Sequence, residues 1–152
     1  MRAIVVAGLI FVASCTVSTT VEGQKPLIDD GRSYSNAPDD RRYVAGRCAA
    51  LYSEVAQTIA IEQPNMATAK SSDAREFLKR LPNPSEDTFL SWSREYKALL
   101  AAQTEAATTL WHSDYNACSG VLALIRSGDH FAKYTRDELR YLMGGNAKAA
   151  LK

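Results

Sequence analysis

Residues 38–59 read PDDRRYVAGRCAALYSEVAQTI, and this stretch decides the fold class. Pro38, Asp39 and Asp40 suit the start of a helix, because proline fits its first turn and acids stabilise its positive end. Gln63-Pro64-Asn65 marks the helix end. The residues between recur with the 3.6-residue period of an α-helix, and the apolar ones are Val44, Cys48, Leu51, Tyr52, Val55 and Ile59. The pattern predicts a long amphipathic helix that carries Cys48 on its buried face.

A second, shorter helix is predicted from about Asp73 to Leu81. Asp73 and Glu76 stand in capping-box spacing, and Phe77 and Leu78 turn inward with Leu81. The prolines of Pro82-Asn83-Pro84 end it.

A long helical stretch begins near Ser85, with two acids in its first turn. Its apolar stripe continues almost without a pause to Ile125, and Gly128 suits a left-handed helix cap. One unbroken helix to residue 127 would be about 63 Å long, which exceeds a compact domain of this size. We therefore expect a kink or break near His112-Ser113-Asp114.

The last predicted helix is short and well marked. Thr135 and Glu138 stand in capping-box spacing, and Gly144-Gly145 follows the final apolar residue. The apolar residues that would dock this helix are Leu139, Leu142 and Met143. Residues 146–152 are predicted to be a frayed end.

The first fifteen residues have the layout of a secretory signal. Arg2 supplies a positive charge, and residues 3–13 form an uncharged run, too short for the about 20 apolar residues of a transmembrane helix. The run ends in Val12-Ala13-Ser14-Cys15, which resembles the lipobox of bacterial lipoproteins over residues 2–15 only. The alternative of a buried core helix does not account for a run that starts at residue 3 behind an arginine.

The resemblance implies a diacylglycerol on the Cys15 thiol, cleavage before this residue and acylation of the new amino terminus. Several acyl chains hold a protein firmly at a membrane, whereas one chain binds marginally. Thr16 is not the Asp that retains enteric lipoproteins at the inner membrane, so the outer membrane is favoured. Ordinary signal-peptidase cleavage is the alternative, because Val12 and Ser14 also suit a small-residue cleavage site.

Residues 16–37 are rich in Ser, Thr, Gly and Asp and show no sustained periodicity. They are interpreted as a flexible tether, which at about 20 residues has a reach of roughly 25 Å. A ragged terminus is the alternative interpretation. The resulting organisation is a signal peptide over residues 1–14, a lipidated cysteine and tether over residues 15–37, and a helical domain over residues 38–152.

The chain contains three cysteines. With Cys15 lipidated, Cys48 and Cys118 remain as one pair, and a disulfide is the default state of such a pair in an exported protein. A redox-active or metal-binding thiol pair would need CxxC-like spacing or neighbouring histidines, and neither occurs. Since no stretch alternates like a β-strand, the sequence predicts an all-α, small bundle-like domain of three to five helices with one disulfide.

The charge of the mature chain is close to zero. Removing residues 1–14 takes away one charged side chain, Arg2, and leaves 17 basic against 17 acidic residues. A neutral chain without a Lys/Arg stripe lacks the electrostatic footprint of nucleic-acid binding, so no nucleic-acid partner is expected.

No residue cluster in the sequence forms a known catalytic, metal or nucleotide motif, so no cofactor is predicted. His112 and Asp114 are the most tempting pair, but residues two apart on a helix point in different directions. His130 follows in a loop. The carboxylates Glu54, Glu95 and Glu105 are interpreted as parts of solvated helix faces.

Four aromatic residues recur at helical spacing: Trp92, Tyr96, Trp111 and Tyr115. Such a stripe more often packs in a core than binds a ligand. It is nevertheless the best candidate for a binding face.

The expected function is that of a membrane-anchored accessory or structural lipoprotein of the cell envelope, which binds an envelope protein partner. One alternative is an exported small-molecule binder or enzyme that uses the aromatic face with His112. A further alternative is a small envelope chaperone, because proteins of that type share the size, the helices and the single disulfide expected here. No motif in the sequence supports this alternative.

We expect the mature protein to begin at a lipidated Cys15, because the lipobox-like residues coincide with the end of the apolar run. Mass spectrometry of the amino-terminal peptide measures this directly, and a Cys15→Ala variant serves as the unlipidated control. A mature peptide that begins after residue 15, or one that retains Met1 in envelope fractions, would contradict the prediction.

Overall fold

The computed structural model describes residues 24–128 and 134–143, which contain five α-helices and no strand. The helices are α1 (Pro38–Ile59), α2 (Pro64–Arg80), α3 (Glu86–Ala102), α4 (Glu105–Ser127) and α5 (Arg136–Tyr141). Two short 3₁₀ turns, Leu27–Asp29 and Gly31–Tyr34, precede α1. The predicted all-α class is confirmed. The signal peptide, Cys15, residues 16–23, His130 and the frayed end at residues 146–152 lie outside the described residues.

Helix α1 is the central element and packs against α2, α3 and α4. It starts at Pro38 as predicted and ends at Ile59, four residues before the predicted stop at Gln63. Every residue from Val44 to Tyr52 is buried, so this part of α1 is enclosed on all sides. Gly46 lets the chain before α3 approach closely, since a Cβ there would lie 2.9 Å from the Pro84 Cβ.

The predicted break near His112-Ser113-Asp114 is wrong. The chain turns instead at Gln103, whose φ of 50° is left-handed, and α4 starts after Thr104. The Thr104 side chain accepts a hydrogen bond from the Ala107 backbone N–H, which caps the new helix. The apolar pattern runs through this turn, so periodicity alone did not mark it.

Helix α2 begins nine residues earlier than predicted. Pro64 ends the α1 pattern, as expected, but it also occupies the first turn of α2, where a missing backbone N–H costs nothing. The two helices therefore form a tight hairpin. Ala67, Ala74 and Phe77 are the residues of α2 buried against the core.

Helix α5 is capped as predicted, with the reciprocal Thr135–Glu138 bonds of a capping box. Leu139, Leu142 and Met143 are buried. Gly120 of α4 provides the space for this docking, since a Cβ there would lie 2.7 Å from the Leu142 carbonyl oxygen. Helix α4 ends at Gly128 in a left-handed conformation, as the sequence predicted.

Residues 24–37 are folded onto the helices, so the tether interpretation is wrong for this segment. Leu27 is fully buried in the core, and Ser33 is buried beside it and donates a hydrogen bond to the Leu27 carbonyl. The Arg41 guanidinium donates to the carbonyls of Arg32 and Ser33 at 2.9 and 2.6 Å. The folded domain therefore includes residues 24–37 as well as the predicted helical part.

The predicted disulfide is confirmed. Cys48 of α1 and Cys118 of α4 are bonded, with their sulfurs 2.04 Å and their Cα atoms 5.4 Å apart. Both residues are completely buried. Among the described helices, none is long and apolar enough to cross a membrane.

We expect the Cys48→Ala/Cys118→Ala double variant to lose about 2–5 kcal/mol of unfolding free energy, because the bond closes a loop of 70 residues. Urea denaturation of the parent and the variant, each with and without reductant, measures the loss. Reductant should destabilise the parent and leave the variant unchanged. The comparison separates the stability due to the cross-link from the stability lost to the cavity that the missing sulfurs leave. Equal midpoints for the oxidised parent and the variant would contradict the expectation.

Candidate functional site: a buried ion pair beneath an aromatic groove

Arg47 of α1 and Asp114 of α4 form an ion pair in the core. Both are buried, with relative exposures of 1% and 0%. The Arg47 Nη2 lies 2.6 Å and its Nε 3.0 Å from the Asp114 Oδ2. Burying two charges is expensive unless each is paired and its remaining hydrogen-bonding atoms are satisfied.

The Asp114 carboxylate meets that requirement through α3 and the amino-terminal segment. The Tyr96 hydroxyl donates to Oδ2 and accepts a hydrogen bond from the Arg47 Nε at 3.0 Å. The backbone N–H of Leu27 donates to Oδ1 at 2.6 Å. Both carboxylate oxygens are therefore occupied.

The Arg47 guanidinium is satisfied in the same way. Its Nη1 donates to the Tyr43 hydroxyl at 2.9 Å, and its Nη2 donates to the Lys25 carbonyl at 2.8 Å. The Asp30 carboxylate lies 3.9 Å from Nη1. The ion pair thus connects α1, α3, α4 and the segment before α1.

The pKa values of Arg47 and Tyr96 both lie above their ordinary values. Burial alone would lower the pKa of Arg47, but Tyr96, Asp114 and Tyr43 outweigh it and hold that pKa above its ordinary value. Burial and the Asp114 charge raise the pKa of the Tyr96 hydroxyl. A general acid or base needs a pKa near the working pH, so these two groups are suited to holding structure and not to transferring protons.

Aromatic rings lead from this ion pair to the surface. The Trp92 ring lies over the Arg47 guanidinium, with 4.2 Å between the ring centroid and Cζ. Tyr43 meets Trp92 edge to face, with centroids 5.8 Å apart. On the outside, the Arg32 Cζ lies 4.4 Å from the Tyr43 centroid. Cations therefore lie at both ends of one aromatic pair, Arg47 in the core and Arg32 at the surface.

A groove of about 890 Å³ opens beside these rings, and we call it the α3 groove. Its only acidic side chain is Asp87, and its two guanidinium groups, on Arg32 and Arg94, have no ion pair within the described residues. Leu90 is one of the few large apolar side chains that the described residues expose, at 47%. The lining residues are Arg32, Tyr43, Asp87, Thr88, Leu90, Ser91, Trp92, Ser93 and Arg94.

The four aromatics predicted as a binding face are divided between different surroundings. Tyr96 is fully buried in the ion-pair cluster, and Trp92 lines the α3 groove. Tyr115 stacks on Tyr52, with centroids 5.0 Å apart and rings nearly parallel. Trp111 is partly buried and has its nearest ring contact with the adjacent His112. Only Trp92 reaches the α3 groove, so the four residues do not form one surface.

The remaining candidate residues do not converge on a reactive centre. His112 is exposed and Asp114 is buried, so they diverge as their spacing predicted. Glu54 is buried and accepts a hydrogen bond from Ser93 of α3, which makes it a packing contact between α1 and α3. Within the two described ranges, no three His, Cys, Asp or Glu side chains gather as a metal site.

Sequence reasoning did not identify Arg47, Tyr43 or Arg32 as site residues. Arg47 had a readable signal, because it lies three residues after Val44 and four before Leu51 on the apolar stripe of α1. Arg32 had none, since its position depends on the long-range packing of residues 24–37. No protein-family model, curated protein or solved structure matches this chain.

We expect Asp114→Asn to lower the unfolding free energy by about 3–5 kcal/mol, because it leaves the Arg47 charge buried without a counterion. Arg126→Gln is the matched control. Arg126 pairs with Asp73 and Glu76 at the surface, and the loss there should stay below about 1 kcal/mol. Urea denaturation gives the free energies, and hydrogen exchange of the Leu27 amide reports whether the amino-terminal segment has been released.

The Arg47→Met/Asp114→Leu double variant separates the cost of an unpaired charge from the loss of contacts. Apolar replacement of both partners should recover much of the stability lost in Asp114→Asn. Equal stability of Asp114→Asn and the parent would show that the ion pair does not constrain the fold.

Proposed function

We propose that this protein is an exported accessory lipoprotein of the bacterial envelope, anchored through Cys15, which binds a protein partner through the α3 groove. The observation that carries the binding function is the α3 groove. Its lining contains Trp92, Tyr43, an exposed Leu90 and two guanidinium groups that have no ion pair in the part of the chain that the structure describes. Trp, Tyr and Arg are the residue types that dominate binding energy at protein interfaces.

The floor of the α3 groove is suited to binding because it is held before a partner arrives. The Tyr43 hydroxyl accepts a hydrogen bond from Arg47, and the Trp92 ring rests on the same guanidinium. Arg47 is itself fixed by Asp114. A surface ordered in advance loses less side-chain entropy on association, which favours affinity.

The disulfide supports export. Cys48 and Cys118 are bonded in the core, and disulfides persist mainly in oxidising compartments outside the cytoplasm. An exported location agrees with the lipobox-like residues that end at Cys15. Thr16 favours the outer membrane as the site of the anchor, with the domain in the periplasm.

The folded amino-terminal segment would keep an anchored domain close to its membrane. Residues 16–23 are the only ones between Cys15 and the described segment, and eight fully extended residues span at most about 29 Å. The protein would therefore meet partners that lie near the same membrane surface, which suits an accessory role.

Binding of a small molecule is the second candidate function, because the α3 groove has a volume in the range of ligand pockets. The form of this hypothesis that uses His112 has less support. His112 lies exposed beside Trp111 and does not line the α3 groove.

A photocrosslinking residue at position 90 tests the binding function in intact cells. We expect a discrete protein adduct from position 90, because Leu90 lies in the α3 groove. Position 61 is the matched control, since Ile61 is another exposed apolar residue but lies in the turn between α1 and α2. Adducts of equal yield at both positions, or none at position 90, would contradict a partner at the α3 groove.

A further inference from the structure

We propose that the α3 groove binds an acidic peptide segment of its partner, in which carboxylates pair with Arg32 and Arg94 and an apolar side chain packs on Leu90. This inference rests on the proposed binding function. It does not depend on the lipid anchor at Cys15.

The charge of the α3 groove comes from its rim. Arg47 lies beneath Trp92, but Asp114 neutralises it at 2.6 Å. The Asp30 carboxylate lies 3.9 Å from the Arg47 Nη1 and accepts a hydrogen bond from the Arg32 backbone N–H at 3.0 Å, so it adds a negative charge beside the floor. The positive groups of the rim are the guanidinium groups of Arg32 and Arg94, and the lining itself contains one carboxylate, Asp87. The α3 groove is thus complementary to an anionic ligand.

The guanidinium groups retain donors for such a ligand. The Arg94 Nε donates to the Leu90 carbonyl of its own helix at 3.3 Å, and its terminal nitrogens have no acceptor among the described residues. The Arg32 guanidinium rests on the Tyr43 ring and likewise has no described acceptor. A carboxylate can accept two parallel hydrogen bonds from such a group, and a peptide with spaced Asp or Glu residues would engage both.

The apolar side of the α3 groove distinguishes a peptide from other anions. Leu90 is exposed at 47% and shares a face of α3 with Arg94, so a Leu or similar side chain that packs on it would be removed from water beside a guanidinium group. Double-stranded or single-stranded nucleic acid would need several phosphate contacts, and two guanidinium groups are too few.

The hydroxyl groups of the α3 groove argue against an acidic saccharide. Ser93 donates its hydroxyl to Glu54, and Thr88 shares a hydrogen bond with Ser85 at 2.7 Å. The Tyr43 hydroxyl accepts a hydrogen bond from Arg47, which leaves Ser91 as the lining hydroxyl without a hydrogen bond among the described residues. The α3 groove therefore has few partners for a ligand rich in hydroxyls. A peptide with an apolar side chain among its acids needs fewer hydroxyl partners than a saccharide does, so it fits this surface better.

Isothermal titration of the purified mature protein with the peptide acetyl-Asp-Glu-Leu-Asp-Glu-amide tests the proposal. We expect saturable binding that weakens as salt is added. The neutral peptide with Asn and Gln in place of the acids should bind at least about tenfold more weakly, as the loss of charge-assisted hydrogen bonds predicts.

Variants assign the binding to the α3 groove. Arg32→Gln and Arg94→Gln should each weaken binding about tenfold, while Asp87→Asn should tighten it about twofold because a like charge is removed. Arg75→Gln, at an exposed arginine of α2 outside the α3 groove, is the matched control and should leave the affinity unchanged. Thermal melting confirms that each variant is folded, since all four side chains are at the surface.

Four results would overturn the proposal: no heat of binding up to roughly 1 mM peptide, equal affinity for the neutral peptide, no effect of the two arginine variants, or equally tight binding of tripolyphosphate or an oligogalacturonate. The last would identify a general anion or saccharide site. If the position-90 adduct forms while peptide binding fails, the partner chemistry proposed here is wrong and the binding function stands. If neither occurs, both proposals fail.

Discussion

The Arg47–Asp114 ion pair is the interaction on which the rest of the structure depends. Two buried charges are tolerated only when each is paired and hydrogen-bonded, and here the partners come from α1, α3, α4 and the segment before α1. Any arrangement that moved one of these elements would leave a charge or a polar atom unsatisfied in the core. The ion pair therefore makes alternative packings of the same helices costly.

The disulfide and the ion pair join the same two helices but act on different states of the chain. The Cys48–Cys118 bond acts mainly on the unfolded chain, whose freedom it limits, and in the folded state it holds the two Cα atoms 5.4 Å apart. The ion pair discriminates within the folded state, because a buried charge requires its partner at close range. Together they fix the position of α4 along α1, while Gly46 and Gly120 let α3 and α5 approach the remaining faces.

The sequence predicted the elements whose signals are local, and it missed those that depend on distant contacts. Helix α1 has a proline and two acids in its first turn and α5 has a capping box, and each has an apolar stripe, so their existence and their starts could be predicted directly. The predicted position of the helix break is wrong, because the apolar stripe continues across the actual turn at Gln103-Thr104. The local composition of residues 24–37 predicts a tether, whereas their order comes from one buried Leu27 and from bonds to Arg47, Asp114 and Arg41, which no local pattern encodes. The sequence gives a partial signal for the ion pair, since Arg47 and Asp114 each stand at a position of a buried apolar stripe. Each of these stripes also carries one of the bonded cysteines.

The same guanidinium that organises the core also forms the floor of the α3 groove. Trp92 rests on Arg47 from above, and Tyr43 accepts a hydrogen bond from it at the side, so the positions of both rings are set by a residue that solvent does not reach. The attraction between a cation and the face of an aromatic ring is stronger when the cation is desolvated. The buried Arg47 therefore favours a rigid floor over a mobile one. Because Asp114 cancels the charge of Arg47, the charge at the surface of the α3 groove comes mainly from groups outside this ion pair. The core thus fixes the shape of the α3 groove and the side chains at its rim set its charge, so rim substitutions can alter this charge without disturbing the packing that holds the rings.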